Sequence, residues 1–146
     1  MVSMKKTERS KLSIEEKNLS DSLRKGNLLA VPCPSRQILA HVCSRWGVLI
    51  LIILRQGTHR FSALRKKIGG VSEKMLSQSL RALTDDGFVL RVSYPVVPPF
   101  VEYSLTPLGE EVAELVAALA NWIEVNLPRV KDSHQEEAED SEAKDR

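Results

Sequence analysis

The chain has 146 residues, of which 42% are hydrophobic and 27% charged, and a formal net charge of +2. This length suits one domain with a single core, and the composition is that of an ordinary globular protein. Only two cysteines occur, without metal-ligand spacing, which argues against a disulfide scaffold and a zinc site and favours a reducing, cytoplasmic setting.

The charge is distributed unevenly. After Val130, seven acidic residues stand against three basic ones, so the remainder of the chain is more basic than the total indicates. A basic body suits a polyanionic partner. The longest apolar run, Val48 to Leu54, is far shorter than the roughly 20 residues of a membrane span, and no secretory signal is visible. We therefore expect no membrane partner.

Catalytic motifs are not found in the sequence. It has no glycine-rich phosphate loop, no His/Cys/Asp cluster at metal spacing and no nucleophile motif. We expect neither an enzyme nor a bound metal or cofactor.

The chain ends differ in composition from its middle. Residues 1–31 are polar with scattered leucines and predict a partly disordered N-terminal extension. Residues 32–127 predict the ordered domain. Residues 128–146 are acidic and lack aromatic side chains, which predicts a disordered tail.

Two helices are predicted before the centre of the domain. The first begins at Cys33-Pro34, because proline suits the first helical position, and Cys43 lies on its apolar side. The second runs from about Arg45 to Gln56. Its apolar run has strand-like composition, but its length and a place at the core centre favour a helix.

The segment from Phe61 to Gly87 predicts two short helices joined by a tight turn. Paired glycines, Gly69-Gly70, can end the first helix, because glycine adopts the left-handed conformation of a helix stop. Ser72 is a candidate N-cap for the second helix, which Gly87 ends. Its apolar face comprises Met75, Leu76, Leu80 and Leu83.

The polar face of this second helix carries Lys74, Ser77, Gln78 and Arg81. Arg and Gln can bond two atoms of a base edge, and Ser can serve either base, so Arg81 and Gln78 are the foremost candidate base-reading residues, with Ser77 and Lys74 beside them. A helix preceded by another across a short turn is the helix-turn-helix arrangement. The simpler alternative is an amphipathic helix with a solvated polar face. Arg81 could also bind a phosphate, in which case its loss would weaken operator and random DNA equally.

Four further cations are candidate phosphate partners, setting affinity without sequence information. Their alternative is to be solvated surface charges. They are Arg65, Lys66, Lys67 and Arg91.

After Gly87 the pattern changes to a period of two. Phe88, Leu90 and Val92 alternate with other residues, and Val101, Tyr103 and Leu105 do so after a proline-rich stretch at 95–99. This pattern predicts a hairpin over residues 88–105 with a stiff tip, the wing of a winged helix-turn-helix. Such a tip can lie along the phosphate backbone or in the minor groove.

Thr106-Pro107 opens the last predicted helix, which runs to about Asn126 and ends at Pro128. Its wide apolar stripe either closes the monomer core or packs against a second subunit, together with the helix at 34–43. We favour a homodimer, because groove readers commonly pair symmetric subunits. The candidate interface residues are Ile38, Val112, Leu115, Leu119 and Trp122.

Many of these residues together resemble the HxlR-type bacterial transcriptional regulators, most nearly their YtfH-like members. The resemblance covers about residues 33–125, and its proline-rich wing makes it specific. One departure is Ser44-Arg45, where many members carry Gly-Lys before the tryptophan. The matching residues are Cys33-Pro34, Trp46, Arg60-Phe61, Leu64-Arg65, Ser72, Lys74, Leu76, Gln78, Leu80, Arg81, Leu83, Gly87, Arg91, Tyr94-Pro95, Val97-Pro98-Pro99, Val101-Glu102-Tyr103, Leu105-Thr106 and Gly109.

The resemblance implies a mainly α fold with a small β-hairpin, a MarR-like winged helix-turn-helix that dimerises through its terminal helices and binds operator double-stranded DNA. It also implies that Cys33 is a redox sensor for a small electrophile or oxidant. A helix N-terminus and Arg36 would both lower the pKa of this thiol, and the alternative is an inert buried cysteine.

We therefore expect a DNA-binding regulator, more a repressor than an activator. The alternatives are a protein-interaction module of the same fold and a small-molecule sensor with a pocket between the wing and the last helix. Salt dependence of binding separates a groove binder from a protein-interaction module.

Overall fold

The computed structural model describes residues 33–144, with side chains up to Ser133. The predictions for residues 1–31 lie outside this range. The described part contains five helices and three strands: α1 Pro34–Val42, α2 Arg45–Leu54, β1 His59–Arg60, α3 Phe61–Lys67, α4 Glu73–Asp85, β2 Val89–Tyr94, β3 Phe100–Leu105 and α5 Pro107–Lys144.

The chain divides into two compact units between His41 and Val42, and most of α1 belongs to the first. Pro34 occupies the first position of α1, as predicted. The Cys33 carbonyl accepts the first bonds of this helix, from the backbone N–H groups of Arg36 and Gln37 at 3.1 and 3.3 Å. Cys33 therefore caps α1.

The second unit has one hydrophobic core with α2 inside it. Ile50 and Leu51 are fully buried there, which confirms the helix predicted from the apolar run. The Ser44 hydroxyl caps α2 by accepting the Gly47 N–H at 3.0 Å. Ser44 is in extended conformation with φ −65°, so this turn needs no glycine.

Helices α3 and α4 form the predicted helix-turn-helix. The Ser72 hydroxyl caps α4 by accepting the Met75 N–H at 3.1 Å, and Gly70 and Gly87 take positive φ angles of 81° and 85°. Leu76, Leu80 and Leu83 bury one side of α4. The placement of Met75 on that side is wrong: it is 42% exposed, because its position is about 100° from Leu76 around the helix.

The hairpin predicted over residues 88–105 is confirmed as β2 and β3. Strand β1 adds a third strand, in the antiparallel order β1-β3-β2, with Arg60 opposite Glu102. The register pairs Val89 with Leu105 and Arg91 with Tyr103. Val89 is buried whereas Leu90 is exposed, so β2 packs on the core through Val89.

Thr106 joins the end of α4 to the start of α5. Its hydroxyl donates to the Gly87 carbonyl at 2.6 Å and accepts the Gly109 N–H at 3.0 Å. Its own N–H donates to the Phe88 carbonyl at 3.0 Å. This position therefore caps α5 and also fixes where the wing leaves the helix-turn-helix.

Helix α5 does not end near Asn126, as the sequence predicted, but continues through Pro128 to Lys144, into the segment predicted to be disordered. The Asn126 side chain bridges the turn containing the proline: it donates to the Trp122 carbonyl at 2.8 Å and accepts from Arg129 at 2.9 Å. The following residues are rich in Glu, Ala and Lys, which have high helix propensity and offset the cost of the proline.

Replacing Gly109 by alanine tests the close approach of α5 to β2. An added Cβ would overlap the Phe88 carbonyl oxygen and lie 2.8 Å from its carbon, and this backbone is held by hydrogen bonds. We expect Gly109→Ala to lower the free energy of unfolding by about 1–3 kcal/mol in urea denaturation. The control is Gly69→Ala, where no atom lies within 4 Å of the new Cβ. Equal stability of both variants would contradict the close approach.

Candidate nucleic-acid interface

The outward side of α4 carries the four candidate base-reading residues. Lys74, Ser77, Gln78 and Arg81 are all exposed. The opposite side of α4 is held in the core by its three leucines. In the described part of the chain these side chains therefore stay accessible to a duplex.

A cleft of about 370 Å³ separates α4 from the hairpin. Ser77 and Arg81 line it from α4, and Arg91 and Tyr103 line it from β2 and β3. The last two are cross-strand partners, which places their side chains on the same face of the sheet. Two cations that the sequence assigned to different tasks, Arg81 and Arg91, thus border one cleft.

The four candidates consequently separate into two pairs. Ser77 and Arg81 border the cleft on the wing side of α4. Helical spacing turns Gln78 by about 100° and Lys74 by about 60° from Ser77, so both lie closer than Ser77 to the middle of the outward face, and Lys74 lies within about 20° of Arg81. Middle positions are the ones that reach deepest when a helix enters a groove.

The four candidate phosphate-binding residues differ in whether their side chains contact other residues of the protein. Arg65 lies 3.7 Å from the Glu73 carboxylate, an exposed pair that links α3 to α4. Lys67 donates to His59 Nε2 at 2.8 Å and to the Gln56 side chain at 3.3 Å. Lys66 and Arg91 are exposed. Lys67 therefore has a local structural role besides any contact with phosphate.

Arg60 is not among the residues predicted from the sequence to contact DNA. Its guanidinium lies 3.8 Å from the centre of the Phe100 ring, and that ring stacks on Tyr94 at 4.7 Å. This stack stiffens the wing where its strands meet the 95–99 loop and places a cation beside it. The hairpin register sets Tyr94 opposite Phe100, whereas only the pairing of β1 with β3 brings Arg60 to this ring, so the sequence pattern did not indicate the Arg60 contact.

The two cysteines lie in different surroundings. Cys33 is buried, and the backbone N–H of Arg36 lowers the pKa of its thiol, with further lowering by Ser35 and by the Arg36 charge against the opposing effect of burial. Cys43 is exposed, so the expectation that it packs on the apolar side of α1 is wrong. Helix α1 ends at Val42, and Val42 takes the buried position instead.

Helix α5 uses its apolar residues in two ways. Ala113 and Val116 are buried in the core, and Val112 packs against it. By contrast Leu115, Leu119 and Trp122 are 71%, 54% and 55% exposed. Ile38 of α1 is exposed as well. Most of the predicted interface residues therefore lie outside the core, whereas Val112 contributes to it.

A second cavity, of about 310 Å³, lies between the base of the wing and the start of α5. It is lined by Ser104 and Leu105 of β3, Glu110 of α5 and Arg55 after α2, among others. The polar lining carries one charge of each sign. This is where the sequence placed the pocket of a small-molecule sensor.

In the part of the chain that the structure describes, no single helix is both long and apolar enough to cross a membrane. Helices α1 and α2 reach that length and hydropathy only as a pair, which is bent by 68°. No group of three or more His, Cys, Asp or Glu side chains in this range is placed to hold a metal ion.

The comparisons place these features in a family. The model of the HxlR-like helix-turn-helix family matches residues 41–131. The chain is 72% identical over 113 residues to the HTH-type transcriptional regulator YtfH of Escherichia coli (strain K12), covering 77% of this chain and 90% of that protein. The structure of ytfH from Salmonella typhimurium, assigned as a transcriptional regulator, matches at 71% identity with a TM-score of 0.72, over 75% of this chain and 97% of that one.

A more distant structural match is a redox regulator. The structure of HypR in its oxidized form has 34% identity and a TM-score of 0.59, over 64% of this chain and 97% of that one. The two YtfH relatives carry the name transcriptional regulator, and the matched family is not a family of enzymes.

The lowered pKa of Cys33 predicts a pH dependence. The thiolate is the reactive form, so alkylation of Cys33 by iodoacetamide in a Cys43→Ser variant should have its pH midpoint below about 8.5, the ordinary value for cysteine. Mass spectrometry of the modified fraction over a pH series gives the midpoint. The same variant unfolded in urea is the control; a folded midpoint at or above the unfolded one would contradict the prediction.

Proposed function

The chain belongs to the HxlR-like helix-turn-helix family of transcriptional regulators, and on this premise we propose that it binds operator DNA in a sequence-specific manner and represses transcription. Helix α4 enters the major groove, and the hairpin is the wing. Bound at a promoter, such a protein excludes the transcription machinery by occupying the same DNA.

The observation that carries this proposal is the exposed polar face of α4. Its cations and amide are held outward by three leucines on the opposite side, on a helix capped at its start by Ser72. Helix ends and a packed core limit the movement of such a face, and a fixed orientation is what bidentate contacts to base edges require. Gln78 and Lys74 at its middle are the proposed base-reading pair.

The exposed stripe on α5 supports a homodimer. Leu115, Leu119 and Trp122 follow helical spacing and lie on a part of the helix that the core leaves uncovered. Contiguous exposed apolar surface of this kind is typical of an interface. Two copies joined through it present two α4 helices to two half-sites.

We further propose that Cys33 responds to an oxidant or electrophile. Its lowered pKa gives a larger thiolate fraction than an ordinary cysteine has at neutral pH. The resemblance to the redox regulator HypR supports the same role. Modification of the helix-capping residue would alter the start of α1, and with it the affinity for DNA.

The cavity at the base of the wing supports a second candidate function, sensing of a small zwitterionic or polar molecule. Arg55 and Glu110 would bind opposite charges of such a ligand. Here DNA affinity would depend on the ligand. Thermal stabilisation by a panel of amino acids, lost in Glu110→Gln, would favour this candidate over thiol sensing.

Substitution of Gln78 tests the proposed base reading. From random DNA, the full chain selects its operator by repeated binding and amplification. We expect Gln78→Ala to weaken binding to that operator by about 1–3 kcal/mol, while binding to a random duplex changes little, in mobility-shift titrations. The matched control is Gln37→Ala, an exposed glutamine on α1. Failure of the wild-type chain to bind any duplex in a salt-dependent way would overturn the proposed function.

Substitution of Leu119 tests the homodimer. Leu119→Lys puts a charge into the proposed interface without affecting the core, so we expect the dimer dissociation constant to rise tenfold or more, about 1.4 kcal/mol. Sedimentation velocity over a concentration series measures it. Leu90→Lys, the same change at an exposed position on the wing, is the control. A dimer unaffected by Leu119→Lys would contradict this interface.

A further inference from the structure

The cleft between α4 and the wing is lined by groups suited to an oxyanion. It is bordered by guanidinium groups from two different elements and by hydroxyl groups, with one carboxylate. The lining residues are Ser77, Arg81, Thr84, Asp85, Arg91 and Tyr103.

Tyr103 is the fixed part of this lining. Its ring packs in the hydrophobic core and only 7% of the residue is exposed, yet it borders the cleft. The hydroxyl is the one polar group that its side chain can offer there. Because β3 and the core hold the ring, this hydroxyl is positioned before any ligand arrives.

The two guanidinium groups are not neutralised within the cleft. Neither Arg81 nor Arg91 forms an ion pair with another described residue, although Asp85 lines the same space. The net charge of the lining is therefore positive. Arginine binds phosphate oxygens through two parallel hydrogen bonds, which a cleft bordered by two arginines can supply from both sides.

The shape of a duplex determines which oxyanion meets this cleft. A helix in the major groove and a wing in the adjacent minor groove are separated by one sugar–phosphate strand. That DNA strand must pass over the seam, which is the gap between α4 and the wing. The cleft is this seam, because α4 forms one wall and the hairpin forms the other.

We propose that the cleft between α4 and the wing holds one backbone phosphate of the bound DNA, with Arg81, Arg91 and the Tyr103 hydroxyl as its ligands. This inference rests on the proposed DNA-binding function and deepens it. Arg81 thereby sets affinity and register instead of reading a base, and sequence reading falls to Gln78 and Lys74. Asp85 repels the phosphate and weakens binding to operator and random DNA alike.

Alanine variants of the full chain test the proposal through their affinities for the selected operator and for a random duplex. We expect Arg81→Ala and Arg91→Ala each to weaken binding to both duplexes by a similar factor, about tenfold for a lost charged hydrogen bond. The double variant should lose less than the product of the two losses, because both residues serve one phosphate. Lys131→Ala, which removes an exposed cation on α5 outside both cavities, is the control and should retain wild-type affinity.

Two further variants test cleft residues to which the sequence assigned no role, one proposed as a ligand and one as a repelling charge. Tyr103→Phe keeps the ring in the core and removes only the hydroxyl, so it should keep the melting temperature while weakening binding to both duplexes several-fold. Asp85→Asn should strengthen binding to both. Each arginine variant should also reduce the slope of log affinity against log salt, by up to about one unit for a single lost phosphate contact.

Four results would overturn the proposal. One is a loss in Arg81→Ala confined to the operator, which would make Arg81 a base reader. The second is a loss of affinity in the double variant equal to the product of the two single losses. The third is wild-type DNA affinity in Tyr103→Phe. The fourth is displacement of DNA by inorganic phosphate beyond the effect of chloride at equal ionic strength, absent in Arg91→Ala, which would make a free oxyanion the ligand. A wild-type chain that binds no duplex would overturn the proposed function itself, whereas these results leave DNA binding intact.

Discussion

The rotation of α4 about its own axis, as it packs on the core, is the constraint on which the rest of the site depends. Leu76, Leu80 and Leu83 are buried, and truncating a buried leucine typically costs about 2–5 kcal/mol. A rotation that exposed them would therefore unfold the helix-turn-helix. Because a helix turns 100° per residue, burying this side fixes where Gln78 and Arg81 point, and the proposed recognition surface is oriented by residues on the opposite side of the helix.

A second constraint sets the distance between α4 and the wing. Thr106 bonds to the Gly87 carbonyl, where α4 has ended, and to Phe88, where β2 is about to begin. The same hydroxyl caps α5 through Gly109. One residue thus couples α4, the wing and the last helix through its side chain and its backbone N–H, and this junction sets where the wing starts relative to α4.

Helix α5 divides its apolar surface between the monomer core and the solvent. Small residues such as Ala113 let its first turns approach the core closely, while the larger Leu115 and Trp122 point elsewhere. Burying large apolar side chains contributes more free energy than burying alanine. In the proposed homodimer, the exposed side chains Leu115 and Trp122 would contribute to association instead of to the monomer core.

The sequence by itself determined the order and type of the elements, because their signals are local. For α4 these signals are Ser72 at its start, apolar residues with a period of 3.6 and a glycine after its end. For the hairpin they are alternating apolar residues on both sides of the prolines. The outward face of α4 followed from the same period. Only the tertiary structure decided which residues of different elements lie close together. The strand at His59–Arg60 joined a sheet, Arg81 and Arg91 came to border one cleft, and Tyr103 came to line it with them. Strand register and side-chain bridges between distant residues produce these features, and a local pattern contains no information about either.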